Sequence, residues 1–253
     1  MLDMQTPQST APRRIVPAPH EPRLASIAAL VADPTRSRML CFLLSGDYAS
    51  AGELARAGSV TAATASAHLA RLLDAGLVVV EQRGRHRYYR LADGDIAQAL
   101  EALAMVAERS SHQRAWSSPA RARLREARCC YGHLAGRLGV DLLNQMLARA
   151  WLTDDDGRFA LTPEGALGLS RLGMDGDLWR SKMSSPAGRP MAYPCLDWSE
   201  RRDHLAGRFA SALLEHFLTQ GWLRRRGSER ALALTPTGQR ALGDLLPPIE
   251  QTA

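Results

Sequence analysis

Residues 61–92 read TAATASAHLARLLDAGLVVVEQRGRHRYYRLA, and this run decides the fold. Its first half has helical spacing. Ala65, Leu69 and Leu72 stand at i, i+4 and i+7 and form the apolar face of a helix from Thr61 to Ala75. Gly76 follows as a C-terminal glycine, the residue that tolerates the left-handed turn ending many helices. The second half changes period. LVVVEQ and RHRYYRLA are rich in β-branched and aromatic residues, and Arg83-Gly84-Arg85 separates them as a hairpin tip. A helix that runs into a basic-tipped hairpin is the second half of a winged helix-turn-helix.

The first half lies just upstream. LASIAALVA (24–32) has helical apolar spacing, and Asp33-Pro34 then supply an N-cap and a first-turn proline for TRSRMLCFLL. Ser50-Ala51-Gly52-Glu53 is a capping box for a short helix, ELARA, which Gly58 breaks. On the third helix Thr64 and Arg71 lie opposite the core face, with Ala63 and Ala67 beside them and Ser66 and His68 flanking. Small residues with a few donors let a helix approach base edges in the major groove. The tip residues Arg83, Arg85, His86 and Arg87 suit phosphate or minor-groove contact. Cys41, inside the apolar run MLCFLL, reads as core packing.

ADPTRSRMLCFLL, TAATASAHLARLLDAGLV and EQRGRHRYYRL together resemble the DNA-binding core of the ArsR/SmtB family of bacterial repressors. The resemblance covers residues 23–108 or so. It implies a homodimer that binds a palindromic double-stranded operator and releases it when an inducer binds. It also implies that Thr61, Thr64, Ser66, His68 and Arg71 serve the recognition helix and that Arg83–Arg87 form the wing. Metal-sensing members carry a thiol motif where this chain has YASAGELA, which contains none. The helix DIAQALEALAMVAERSSHQRAW offers one histidine, His112, and no evident ligand set, so sensing is expected in the remaining C-terminal residues.

There the word HLAGR occurs twice, at His133–Arg137 and His204–Arg208. In the same register Leu142-Leu143 matches Leu213-Leu214, Met146 pairs with Phe217, and Trp151-Leu152 matches Trp222-Leu223. After a two-residue insertion, Leu161–Gly165 (LTPEG) matches Leu234–Gly238 (LTPTG). Two copies of one supersecondary unit are the reading. Each is a helix, a strand at the tryptophan, a turn, a second strand and a short helix, packed about a pseudo-twofold axis because neither has much core alone.

The fold class is therefore mainly α with small β-hairpins (α+β): an N-terminal winged helix-turn-helix followed by two tandem winged-helix-like repeats. The expected organisation is a disordered tail (1–22), the winged helix (23–109), a connecting helix or linker (110–128), repeat 1 (129–173), a linker (174–192) and repeat 2 (193–253).

Thiols, imidazoles and aromatics gather just before each HLAGR: Cys129, Cys130, Tyr131 and His133 in one copy, Tyr193, Cys195, Trp198 and His204 in the other. If the helix already runs through Cys130, that thiol and His133 share a face at i, i+3, and Cys129 points away. Three readings stand for this group. It is packing that holds two repeats together; or a cavity for a small organic ligand lined by the aromatics; or a thiol site for redox switching or a soft ion such as zinc, copper(I) or a trivalent metalloid. Haem ligation through Cys or His stays open beside these, so no cofactor is assigned.

The net charge of +6 and isoelectric point near 9.6 fit an acidic partner, nucleic acid first. Arginine carries nearly all of the positive charge, Lys182 being the sole lysine. No stretch has the continuous apolar run of a signal peptide or membrane span, so a cytoplasmic protein with reduced thiols and no membrane partner is expected. Phosphate loops, HExxH and GxSxG are missing, which argues against an enzyme. The function expected is a homodimeric transcriptional repressor released by an effector sensed in the duplicated half. A protein-interaction module on a winged-helix scaffold is the alternative.

Overall fold

The structure, a computed structural model, describes residues 24–84, 86–108, 118–174, 191–226, 230–243 and 245–246. The expected tail, Arg85, His112 and nearly all of the 174–192 linker lie outside the described residues.

The N-terminal part comprises α1 (Leu24–Val31), α2 (Pro34–Leu43), β1 (Ala49–Ser50), α3 (Ala51–Gly58), α4 (Ala62–Asp74), β2 (Val78–Arg83), β3 (His86–Leu91) and α5 (Gly94–Glu108). Its boundaries follow from the capping chemistry. Asp33 accepts a hydrogen bond from the Arg36 amide at 2.9 Å, the Ser50–Glu53 capping box closes in both directions, and Thr61 caps α4. Strands β2 and β3 pair antiparallel from Val78↔Leu91 to Arg83↔His86, and β1 joins the free edge of β3. Helices and sheet close over Met39, Leu40, Leu43, Leu54, Leu69 and Leu91. Cys41 is not among them. The core stripe of α2 is Met39, Leu40, Leu43 and Leu44, and Cys41 falls off it onto an exposed face.

After α6 (Pro119–Glu126) the chain runs twice through strand, strand, helix, strand, strand, helix. The first pass is β4 (Arg128–Cys130), β5 (His133–Ala135), α7 (Arg137–Ala148), β6 (Leu152–Asp155), β7 (Arg158–Leu161) and α8 (Pro163–Arg171). The second is β8 (Tyr193–Leu196), β9 (Asp203–Ala206), α9 (Arg208–Thr219), β10 (Leu223–Arg225), β11 (Leu232–Leu234) and α10 (Pro236–Ala241).

The condition of a helix already running through Cys130 is not met: His-Leu-Ala is a strand, Gly is the corner and Arg begins the helix. Gly136 and Gly207 take φ of +81° and +99° with extended ψ, a region reserved almost wholly for glycine. A side chain at Gly136 would also stand 2.6 Å from the Arg125 carbonyl oxygen. The helix therefore cannot extend upstream through the cysteines.

The two passes interlock. The Leu232 amide on β11 donates to the Ala127 carbonyl at 2.9 Å, and reciprocally the Phe159 amide on β7 donates to Ala192 at 3.1 Å. Leu142, Leu143, Met146 and Leu152 share one core with Leu213, Leu214, Phe217 and Leu223. Each LTPxG word makes the same corner. Thr162 and Thr235 each accept a 3.0 Å bond from the glycine amide three residues on, and each donates its hydroxyl to a backbone carbonyl across the turn. That glycine is then pressed against a tryptophan backbone.

A Cβ at Gly165 or Gly238 would stand 2.2 Å from the carbonyl oxygen of Trp151 or Trp222. Gly165→Ala and Gly238→Ala should each destabilise the protein by at least ~1–3 kcal/mol, since backbone must move to admit the methyl group. Gly52→Ala, in open helical space, should be neutral or stabilising. Thermal unfolding of the three variants measures this contrast.

Candidate functional site

On α4 the residues Thr61, Ala62, Ala63, Thr64, Ser66, Ala67 and Arg71 are all exposed. The Thr61 and Thr64 hydroxyls bond each other at 3.0 Å, and Ser66 donates to the Ala62 carbonyl at 3.0 Å. Three hydroxyls and a guanidinium thus stand on a helix surface otherwise made of alanine. His68 is turned elsewhere. Its Nδ1 faces Asp33 at 3.7 Å and Arg36 at 3.4 Å, so it braces the α1–α2 corner instead of joining this face.

The wing is exposed and basic, but Arg83 and Arg87 are held. Arg83 is paired with Glu81 at 2.9 Å and lies over the Tyr48 ring at 4.6 Å. Arg87 lies 5.6 Å from the Tyr89 ring centroid, and His86 stands edge-on to Tyr88. Sequence reasoning missed Tyr48, which lies outside the hairpin and reaches it only through the fold.

The second candidate is a buried centre between the two HLAGR hairpins. Cys130 pairs with His133 across β4–β5, and Cys195 pairs with His204 across β8–β9. The antiparallel register puts each thiol and imidazole side by side on one face. Because β5 lies against β9, the two pairs meet. His133 Nε2 is 3.0 Å from His204 Nε2, and one donor atom from each of the four residues falls within 4.8 Å of the others. All four are buried. Ala135 and Ala206 flank the thiols, with Tyr193 packed against them. Cys129, on the opposite face of β4, donates its thiol to the Ser45 carbonyl at 2.9 Å.

Around this centre runs an ionic chain that the sequence did not disclose. Asp197 Oδ2 lies 3.1 Å from His204 Nδ1 and 3.0 Å from the Arg128 guanidinium, an ion-pair contact with each, and it accepts from the Gly136 amide at 2.7 Å. Its other oxygen accepts the Ser199 amide and hydroxyl. Arg128, with no exposed surface, continues to Glu101 of α5, which also binds Arg230. Trp198 covers the Arg128 guanidinium at 4.7 Å, and Tyr131 enters the winged-helix core. Neither aromatic therefore lines a ligand cavity at the thiols. A cleft of about 210 Å³ between α5 and β8 does reach Cys195 and Glu101. It is smaller than the ~300–1,000 Å³ typical of drug-sized ligand sites. A larger cavity of about 470 Å³, bordered by Cys41, Arg38, Arg56 and Arg230, lies away from the centre.

The two imidazoles are electrostatically unlike. Burial opposes charge on His204, but the adjacent Asp197 carboxylate and Cys130 thiol prevail and push it up to about 9. Burial pushes His133, which has no such carboxylate, down. Asp197 thus favours the charged form of His204, whose Nε2 faces that of His133 at 3.0 Å. Burial works against ionised Asp197 as well, yet the neighbouring His204 and the positive charge of Arg128 hold it far below the usual carboxylate range. The bond to Cys195 and burial together push the Cys130 thiol up to about 12.

The hairpin carrying Cys130 and His133 turns on two residues, Tyr131 and Gly132, with φ of +47° and +90°. This is the tight turn that matches strand twist. Its tip plugs the winged helix. The Tyr131 side chain is part of that core, and its amide donates to the Leu44 carbonyl at 2.5 Å.

Residues 31–81 match the model of a helix-turn-helix domain family. The chain is 41% identical over 220 residues to the HTH-type transcriptional regulator YdfF of Bacillus subtilis, covering 87% of this chain and 95% of that one. It is 42% identical over 86 residues to the HTH-type transcriptional regulator CmtR of Mycobacterium tuberculosis, covering 34% of this chain and 72% of CmtR. Among solved structures it is similar to a homodimeric winged helix-turn-helix domain from Mycobacterium bovis, with 30% identity, 36% and 84% coverage and a TM-score of 0.33.

The raised His204 sets a pH dependence. Its contribution to stability is complete below its ordinary value near 6.5 and is lost as pH rises through about 9. The melting temperature, measured with chelator present, should therefore fall across that alkaline interval. Asp197→Asn should cost ~3–5 kcal/mol by leaving buried cations uncompensated, and should flatten the alkaline fall. An equal slope in both proteins would dissociate the histidine from the carboxylate.

Proposed function

The chain belongs to the ArsR/SmtB-type winged helix-turn-helix transcriptional regulators, and on that premise we propose that it is a homodimeric repressor whose operator affinity is set by the buried cysteine–histidine centre. As a DNA-binding regulator it reads base edges with Thr64, Ser66 and Arg71 on α4, while Arg83 and Arg87 of the wing meet phosphate.

Dimerisation is supported by the apolar residues left uncovered on α1 and α5. Leu24 is 71% exposed, Leu103 53% and Val106 52%. A second copy covering them would put two recognition helices at one fixed separation, as a palindromic operator requires.

The observation that carries the regulatory reading is Tyr131. It lies between Cys130 and His133 in the chain, and its side chain is buried with Leu44, Leu54 and Leu91 in the winged-helix core. Any change in the separation of the two cross-strand pairs moves the turn that holds this ring. The second link is α5, whose Glu101 faces Arg128 and Arg230 while Leu103 and Val106 point outward. Effector binding at the centre then biases the dimer between an arrangement whose reading helices fit the operator and one whose helices do not.

Arg71→Ala should weaken specific operator binding by ~1–3 kcal/mol, the value of a lost base contact. Arg87→Ala should weaken binding to every sequence and flatten its salt dependence, and His68→Ala should act through stability alone. Shift assays with operator and competitor DNA at two salt concentrations separate these effects. Unchanged operator affinity in the Arg71 and Arg87 variants would refute the assigned reading surface. In sedimentation, the double substitution Leu103→Glu with Val106→Glu should convert a dimer of the 27.6 kDa chain to a monomer. A persistent dimer would move the interface elsewhere.

A further inference from the structure

The four donors at the centre form a set with a defined inorganic chemistry. Two thiols and two imidazole nitrogens match the ligands of tetrahedral sites for d¹⁰ divalent ions, which have no geometric preference of their own and accept mixed sulfur–nitrogen coordination. We propose that Cys130, His133, Cys195 and His204 bind one divalent d¹⁰ cation, zinc or its softer congener cadmium, as a closed tetrahedral centre on the axis between the two hairpins.

Four independent features carry this. The first is placement. With metal–sulfur and metal–nitrogen distances of ~2.3 and ~2.1 Å, a tetrahedral site has edges of roughly 3.3–3.8 Å. The donor atoms already lie within 4.8 Å of one another, with the two Nε2 atoms 3.0 Å apart. Opening of the imidazole pair and inward rotation of the thiols would bring the four donors to that spacing. The second is rigidity. Each Cys–His pair is locked by a hairpin register, so the ligands are positioned in advance instead of being gathered from a loop.

The third is the outer shell. Asp197 Oδ2 sits 3.1 Å from His204 Nδ1, which directs Nε2 inward as the ligand nitrogen, the carboxylate–histidine arrangement that orients metal-bound imidazoles. Arg128 and the Gly136 amide hold that carboxylate in turn. The fourth is access. Cys195 borders the cleft between α5 and β8, so an ion has a route from solvent to a thiol although the centre is buried. Two thiolates cancel the charge of the ion, which makes its burial tolerable. All four positions are filled by protein, so the centre has no open site for substrate. It suits sensing or fastening, not catalysis.

This inference rests on the reading of the same centre as the effector site, and the test keeps the two separable. The full-length protein, reduced and stripped with chelator, is titrated with Co²⁺ as a spectroscopic probe, then with Zn²⁺ and Cd²⁺ in competition. One equivalent of Co²⁺ per protomer is expected, with the intense visible bands of tetrahedral cobalt and thiolate-to-metal charge transfer, displaced by Zn²⁺ and Cd²⁺. Cys130→Ser and Cys195→Ser should each reduce the charge-transfer intensity and weaken binding, Asp197→Asn should weaken it ~10–100-fold, and Cys41→Ser should change nothing. A stripped wild-type chain that is folded by circular dichroism yet takes up no stoichiometric Co²⁺, or takes it up without thiolate bands, overturns the metal site. Operator binding by the same samples then decides the other question. If the loaded and stripped proteins bind operator equally, the centre is a metal site but not the switch. If metal binding fails while operator binding and dimerisation persist, the repressor reading stands without this ligand.

Discussion

One buried carboxylate holds the C-terminal half in its arrangement. Asp197 ties its own hairpin, through His204 of β9, to two segments remote in sequence: the strand β4 through Arg128 and the corner before α7 through the Gly136 amide. An ion taken out of water costs several kcal/mol unless matched by opposite charge and hydrogen bonds. Here the matching is serial. Arg230, Glu101, Arg128, Asp197 and His204 alternate in sign from α5 to the inner hairpins. Such a chain adds little net stability over an apolar core, but each member leaves its neighbours uncompensated if displaced. It therefore selects one relative placement of hairpins, corner and α5, which an alanine-lined contact alone would not do.

Much of the fold was legible because it is written in local chemistry. The spacing of Ala65, Leu69 and Leu72, the Asp33 and Thr61 caps, the Ser50–Glu53 box and the change of period after Gly76 all act over a few residues. Cys41 was misassigned because an apolar run of helix has no visible phase until its partners are known. The repetition of HLAGR is visible in the sequence but its conformation is not, since Leu-Ala-Gly-Arg reads equally as the start of a helix. What decides against the helix is the space around Gly136, set by the Arg125 carbonyl from another element.

For the centre, the sequence disclosed the ligating residue types but not their support. Asp197 belongs to LDWSERRD, which looks like any polar loop, and Glu101 looks like a solvated charge on an amphipathic helix. Their roles come from long-range juxtaposition, which residue spacing does not encode. The repeat also conceals an inequality. His133 and His204 occupy equivalent places, but the first hairpin turns on two residues while the second carries a longer loop that includes Asp197. Only one imidazole can therefore have a carboxylate behind it. Duplication supplied matched donors, and divergence of one loop made them chemically distinct.

The ring of Tyr131 also determines how the molecule melts. Segments joined only by a linker unfold independently and drift relative to one another. Here a residue of the C-terminal half completes the hydrophobic core of the N-terminal one, and a Cβ at Gly46 would stand only 2.5 Å from the Gly132 amide nitrogen, leaving no solvent layer at the seam. Pulling the halves apart takes an aromatic ring out of the winged-helix core. Shared burial of this kind couples local opening of one half to opening of the other. Severing the chain between α5 and α6 would consequently leave the winged helix without the aromatic ring that its own sequence does not supply.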